Sequence, residues 1–231
     1  VAFFDLLGFK SWVEIDGSKE VFTYVKGYLN LMVRSSFEGS IVHPDMSVDV
    51  KEEDLGYVLF SDSIVIYTKD DSYHNLKKMI KVCGDFMNVV ICGPSRMIRG
   101  ALAHGEFYVD TEASAFVGKA LIDAYSLEGR QDWLALGIHD SIEKSKYFEP
   151  LLRENQGYIV KSLEPLRDSP ERPYCINWAS EKYIGGSFNA MRSLDDCLRR
   201  GSKSLSDRPG EMAKLERRVE KTRRFVTHYN P

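Results

Sequence analysis

The spacing of apolar positions changes period several times along the chain, and each change marks an element. Residues 1–4 are continuously apolar, Asp5 interrupts them, and Leu6-Leu7-Gly8-Phe9 follows. This predicts a buried strand that ends in a carboxylate just before a glycine-containing turn. Over residues 19–34, Val21, Val25, Tyr28, Leu29 and Met32 recur at helical spacing, one apolar stripe on an otherwise polar helix. Residues 36–54 are polar, include His43-Pro44-Asp45 and Glu52-Glu53-Asp54, and read as a long solvated loop. Residues 57–60 and 64–67 are rich in β-branched and aromatic side chains on either side of Ser61-Asp62-Ser63, which predicts two strands meeting at a tight turn.

Leu76, Met79, Ile80, Cys83, Phe86, Met87 and Val90 predict a long helix over 72–92, stopped by Gly93-Pro94. Residues 96–110 read as a strand with small residues in its middle and a bend or bulge at Gly105. Residues 114–129 read as a short strand turning at Gly118 into a helix that ends at Gly129. The alternation predicts an α+β sandwich with a mainly antiparallel sheet and the two long helices on one face. Past residue 130, strands are expected at 133–138, 158–163 and 174–178. Two helices follow, one lined by Phe188, Met191, Leu194 and Leu198, the other by Met212, Leu215, Val219, Thr222 and Val226, with a break over 201–210.

Composition narrows the class. The 231 residues are 43% hydrophobic and 28% charged, ordinary for a globular domain with a sizeable core. No apolar run approaches the roughly 20 residues that span a bilayer, and no basic segment precedes an apolar one at the start, so a cytoplasmic protein is expected. The chain opens without Met and almost inside a strand, so residues are expected to precede it. Four scattered cysteines, with no C-x-x-C pair, indicate neither a zinc site nor a disulfide framework. The net charge of −3 offers no general attraction for nucleic acid or an anionic membrane. The basic run on the last helix, Arg217-Arg218 and residues 221–224, alternates with Glu216 and Glu220 and reads as a solvated or partner-facing surface.

Against that background the two acidic strand ends stand out. Asp5 reads either as an N-cap for the next helix or, with Asp62 brought beside it, as half of a site for Mg²⁺ or Mn²⁺, ions that prefer hard oxygen ligands. Such a site suits phosphoryl transfer. The amides of Leu7, Gly8, Phe9 and Lys10, at a helix start, are suited to holding phosphates. His104 and Glu106 share a strand face by alternation; His104 is a candidate general base, with a hydrogen-bonded strand histidine as the default.

These residues resemble a known family. DLLGFK is similar to the D-I-x-G-F-[ST] opening of class III nucleotidyl cyclases, and FSDSIVIY to their second metal-binding hairpin. RGALAHGE aligns without gaps with their R-x-G-x-x-x-G strand, and FVGKALIDAYSLE with their F-G-x-x-V-N-x-A-x-R-x helix start. The resemblance covers residues 1–130 and implies a ferredoxin-like cyclase core, with 131–231 continuing the same domain and supporting dimerisation. It makes Asp5 and Asp62 the ligands of two divalent ions and Leu6 the donor of a backbone carbonyl. A homodimer with sites between the chains is implied.

The sequence also departs from that pattern. Ser61 stands where a Gly usually precedes the second Asp, Asp123 replaces the ribose-positioning Asn, and Leu127 replaces the transition-state Arg. Leucine supplies no charge to a pentacoordinate phosphate, so Arg130, Lys119 and Arg99 become the candidate cations. Val58 and Ala115, beside Tyr57 and Ser114, replace the purine-reading residues. Tyr57 reads either as a stacking partner for a smaller base or as a core strand aromatic. SDS, RGA and GKALIDAYSLE together resemble the bacterial pyrimidine cyclases of Pycsar antiphage defence. That likeness implies conversion of UTP, favoured over CTP, to a cyclic nucleotide that activates a separate effector, without nucleic acid or membrane partners. The other readings are a purine cyclase with relocated specificity residues and a degenerate nucleotide-binding regulatory module.

Overall fold

Strand β1 (Ala2–Leu6) lies at the middle of the molecule because it is apolar toward both sides. Ala2, Phe4 and Leu6 are buried on one face and Phe3 on the other. The computed structural model describes residues 1–37, 41–44, 47–49, 54–183 and 186–230. Asp45, Glu52 and Glu53 of the expected solvated loop lie outside the described residues.

After β1 come α1 (Phe9–Asp16), α2 (Ser18–Tyr24), a π-helical stretch (Val25–Leu29) and α3 (Asn30–Ser35), so the expected helix starts earlier and is interrupted at Gly17. The short ladder of β2 (Ile41–Val42) and β3 (Val48–Asp49) precedes β4 (Leu55–Phe60) and β5 (Ser63–Thr68). Next are α4 (Tyr73–Cys92), β6 (Ile98–Leu102), β7 (Tyr108–Asp110), β8 (Ala115–Val117) and α5 (Lys119–Arg130). The remainder comprises β9 (Leu136–Ile138), α6 (Asp140–Glu143), α7 (Phe148–Glu154), β10 (Ile159–Lys161), β11 (Tyr174–Ile176), α8 (Gly186–Ser204) and α9 (Pro209–Tyr229).

Seven strands form one sheet in the order β10-β11-β9-β6-β1-β5-β4, antiparallel except for the β6/β9 pair. The protein is therefore α+β. Its central part, β6-β1-β5-β4 with helices after β1 and β5, has the split βαβ connectivity of ferredoxin-like folds. Strands β9 to β11 extend this same sheet beyond β6.

The α1–α3 run and α4 cover one face. There Phe4 meets Phe86 edge-to-face at 5.1 Å, within a core that also holds Val21, Leu29, Met32, Ile64 and Ile66. Ser72 caps α4 by accepting from the Asn75 N–H at 3.2 Å. The other face is covered by α5, through Ala124 against Phe3 and Leu127 against Ala101. The expected 96–110 strand divides: it leaves the sheet after Leu102, passes Gly105 at φ +153° and re-forms as the β7–β8 hairpin. Helix α8 continues through Gly201, where the break was expected. A β-carbon there would lie 2.0 Å from the Leu215 side chain, so glycine permits the close crossing of α8 and α9.

Candidate active site

Asp5 ends β1 on the face that carries α5, and its register partners are Ser63 on β5 and Arg99 on β6. The Leu6 N–H donates to the Asp62 carbonyl at 2.9 Å, which seats the β4–β5 turn directly against the end of β1. One carboxylate near the end of β1 and one in the β4–β5 turn are thus brought to the same end of the sheet, close enough for the Asp62 charge to act on Asp5. Burial, and then the Asp62 charge, push the Asp5 carboxyl above its usual range, against the pull of Arg99 and Arg218. The turn is tight because Ser61 adopts φ +57°, the left-handed region that a Gly would occupy without strain.

Beyond Leu6 the chain turns through Gly8 at φ +80° into α1, whose start has no side-chain cap. Glycine is required at that φ. The Leu7 N–H donates to the Met97 carbonyl at 2.9 Å. That amide holds the strand end in place, so donors for an anion begin at Gly8, with Phe9 and Lys10 in the first helical turn.

The donor set suits a hard divalent ion, since two adjacent carboxylates of like charge are stabilised by one. Among the described residues no group of three His, Cys, Asp or Glu side chains is arranged to hold a metal ion by itself. An ion there would complete its shell with backbone oxygen such as the Leu6 carbonyl, water and substrate.

The expected cations are engaged elsewhere. Arg99 is 6% exposed; its Nε donates to Glu128 Oε1 at 2.6 Å and its guanidinium also donates to the Gln131 carbonyl at 2.5 Å. Arg130 binds Asp168 at 2.8 and 3.1 Å and lies 3.6 Å from Glu171. Lys119 donates to both oxygens of Asp123, at 2.7 and 2.8 Å. Asp123 also lies 4.0 Å from His139, whose N–H donates to the Leu102 carbonyl. Leu102 pairs with Ala2, three residues or about 10 Å along the strand from Asp5. Lys119 and Asp123 therefore belong to the other end of the sheet.

Of the two readings of Tyr57, its surroundings fit the core strand aromatic. It pairs with Ile66, on the helix-covered face opposite Asp5, donates to Asn30 Oδ1 at 2.6 Å and packs on Phe37. It is a core strand aromatic. Val58, one residue on, pairs with Val65 and so shares the face of Asp5. His104 lies at the Val1 end of β1, its N–H donating to Ser141 Oγ at 2.9 Å and its ring 3.9 Å from Asp71. That position takes it away from the carboxylate pair. Leu127 is 3% exposed and packs on Ala101 and Leu166.

One cation at the Asp5 end was not anticipated. Arg218 on α9 is largely buried, its charge acts on Asp5 and it faces Arg99, yet its Nε has no hydrogen-bond partner. The nearest carboxylate is Asp132, at 3.7 Å. Asp132 already accepts from Arg217 at 2.7 and 3.2 Å and from Lys221 at 3.1 Å. Burial pushes the Asp132 carboxyl up, but these bonds and charges outweigh it and bring it down to about 2. The alternating charges of α9 resemble a solvated face, so nothing local in the sequence distinguishes Arg218 from Arg217 and Lys221, which take the hydrogen bonds of the shared Asp132. Arg218 lines a cleft of about 900 Å³ between the β1–α1 turn and the α8–α9 hairpin.

No protein-family model matches this chain, and no curated protein sequence matches it. Among the described residues no helix is long and apolar enough to cross a membrane.

Proposed function

We propose that this chain is a metal-dependent pyrimidine nucleotide cyclase that converts UTP, or CTP, to the 3′,5′-cyclic monophosphate and pyrophosphate. The observation that carries this reading is that Asp5 and Asp62 lie at the same end of the sheet, near enough to interact electrostatically, directly before the uncapped turn at Gly8. On this reading Asp5, Asp62 and the Leu6 carbonyl would hold two Mg²⁺ or Mn²⁺ ions, which when bound would supply Lewis-acid activation of the ribose 3′-hydroxyl and charge for the triphosphate. The amides of Gly8, Phe9 and Lys10 orient the phosphates so that the hydroxyl attacks the α-phosphorus in line with departing pyrophosphate. The apolar Val58 offers no purine-reading group on the same face, which supports a pyrimidine base.

The separation of Lys119 and Asp123 from Asp5 supports a homodimer in which they serve the partner's site. Exposed Phe60, Ile122 and Tyr125, on or over that face, provide the apolar surface for it. The product would act as a second messenger in antiphage defence, in the cytoplasm, through a separate effector. A second reading, a nucleotide-binding module without turnover, is favoured by the engagement of Arg99, Arg130 and Lys119 in ion pairs.

Incubation of the purified protein with each of the four NTPs and Mn²⁺, with products identified by mass, tests these readings. Cyclic UMP or cyclic CMP is expected, and loss of product in Asp5→Ala and Asp62→Ala. Exclusive turnover of ATP or GTP overturns the pyrimidine assignment. Nucleotide binding without pyrophosphate release supports the regulatory module instead.

A further inference from the structure

We propose that the cleft between the β1–α1 turn and the α8–α9 hairpin binds the polyphosphate arm of the ligand, with Arg218 as its main side-chain phosphate contact. This deepens the reading of Asp5 and Asp62 as a nucleotide site and rests on it.

The cleft volume, about 900 Å³, is at the upper end of what small-molecule sites occupy. One wall is the turn at residues 6–8 with Ser11 and Trp12; the opposite wall is α8 and α9. Arg96, Arg200, Lys203, Lys214 and Arg218 line it against only Asp16, Asp207 and Glu211, a cationic excess in a chain whose net charge is −3. An anion is therefore favoured here against the overall charge.

Two of these cations have hydrogen-bonding capacity to spare. The Nε atoms of Arg218 and Arg96 are both buried and make no hydrogen bond, the Arg218 Nε lying 3.7 Å from Asp132. Arg96 stacks over Trp12 at 3.7 Å, and its nearest carboxylate, Asp16, is 4.0 Å away. Desolvated guanidinium groups with unfilled donors are unfavourable alone and are satisfied by anions bearing several acceptor oxygens. Phosphate matches that donor geometry, and a chain of phosphates links the two walls. The cleft also begins at Gly8, where the uncapped amides of α1 start.

The wall bearing Arg218 is held in place. Arg208, in the α8–α9 connection, donates to Glu14 at 2.9 Å and to Ser11 at 3.3 Å on α1, and Arg200 donates to the Pro94 carbonyl at 2.7 Å. Arg218 thus faces the turn across a fixed gap.

Titration of the full chain with inorganic triphosphate in EDTA, followed by calorimetry and tryptophan fluorescence, isolates the cleft from metal binding and from chemistry. Saturable binding is expected. Arg218→Gln should weaken it at least tenfold, and Arg218→Lys should recover part of the loss. Arg224→Gln, which removes the same charge from α9 at a side chain paired with Glu164 at 2.8 Å, should bind as wild type does. Absence of saturable binding by the wild type, an unchanged Arg218→Gln, or an equal loss in Arg224→Gln overturns the inference. If Arg218-dependent binding is found but no NTP is cyclised, the cleft stands and the cyclase reading falls. Cyclic product formed with unchanged KM by Arg218→Gln has the opposite meaning.

Discussion

Arg99 and Arg218 bring the same guanidinium to the same end of one sheet, and the two regions treat it differently. Beneath α5, Arg99 is held by the Glu128 carboxylate and the Gln131 carbonyl, so its charge is used in building the fold. On α9, Arg218 reaches Asp132 only after Arg217 and Lys221 have taken its oxygens, and one donor is left buried without an acceptor. A buried charge with all its partners is accounted for by folding alone. A buried charge with a missing partner, on the wall of a cavity, has interaction free energy still to gain from a ligand.

Stability measurements sharpen this contrast. Arg99→Ala leaves Glu128 buried and unpaired, so urea unfolding should show a loss of about 3–5 kcal/mol, whereas Arg218→Gln should stay within about 1 kcal/mol of wild type. Equal losses would erase the distinction between the two arginines.

The Asp132 cluster provides a smaller effect with a defined pH window. Its carboxyl is brought to about 2 in the fold, below the ordinary value of 3.8. A depressed carboxylate contributes stability that is fully present above its unfolded pKa and is lost as pH falls through the folded one. The wild type should therefore lose about 2 kcal/mol relative to Asp132→Asn as pH falls from about 5 to 2. A constant difference across that range would show that Arg217 and Lys221 do not hold this carboxylate.

The smallest effect is at the turn. Ser61→Gly removes the penalty of a left-handed serine, partly offset by greater freedom in the unfolded chain, and should stabilise by about 0.5–1 kcal/mol in thermal or urea unfolding. Destabilisation would mean that the Ser61 side chain makes a contact that outweighs its backbone strain.

Elements with a long, regular period were legible beforehand. Helix α4 has twenty residues, one apolar stripe and a serine cap, so local and tertiary preferences agree. The β4–β5 hairpin was legible for the same reason. The four-residue α6 and seven-residue α7 were read as polar connections, because helices so short depend on packing such as Phe148 against Tyr174. The fate of Tyr57 was open because register decides a strand residue's face, and a shift of one residue reverses it. The end of α8 was misplaced at Gly201 because helix propensity penalises glycine, whereas the crossing with α9 needs one.

The sequence by itself determined that one aspartate sits near the end of a strand and another in a hairpin turn, that a glycine turn follows the first, and that an apolar core of α+β character surrounds them. These are properties of neighbouring residues and their periods. Only the tertiary structure decided which cations remain available to a ligand. Arg217 and its acceptor Asp132 are 85 residues apart, and no local pattern records that this pairing leaves Arg218, the next residue, facing the cleft without a full set of acceptors.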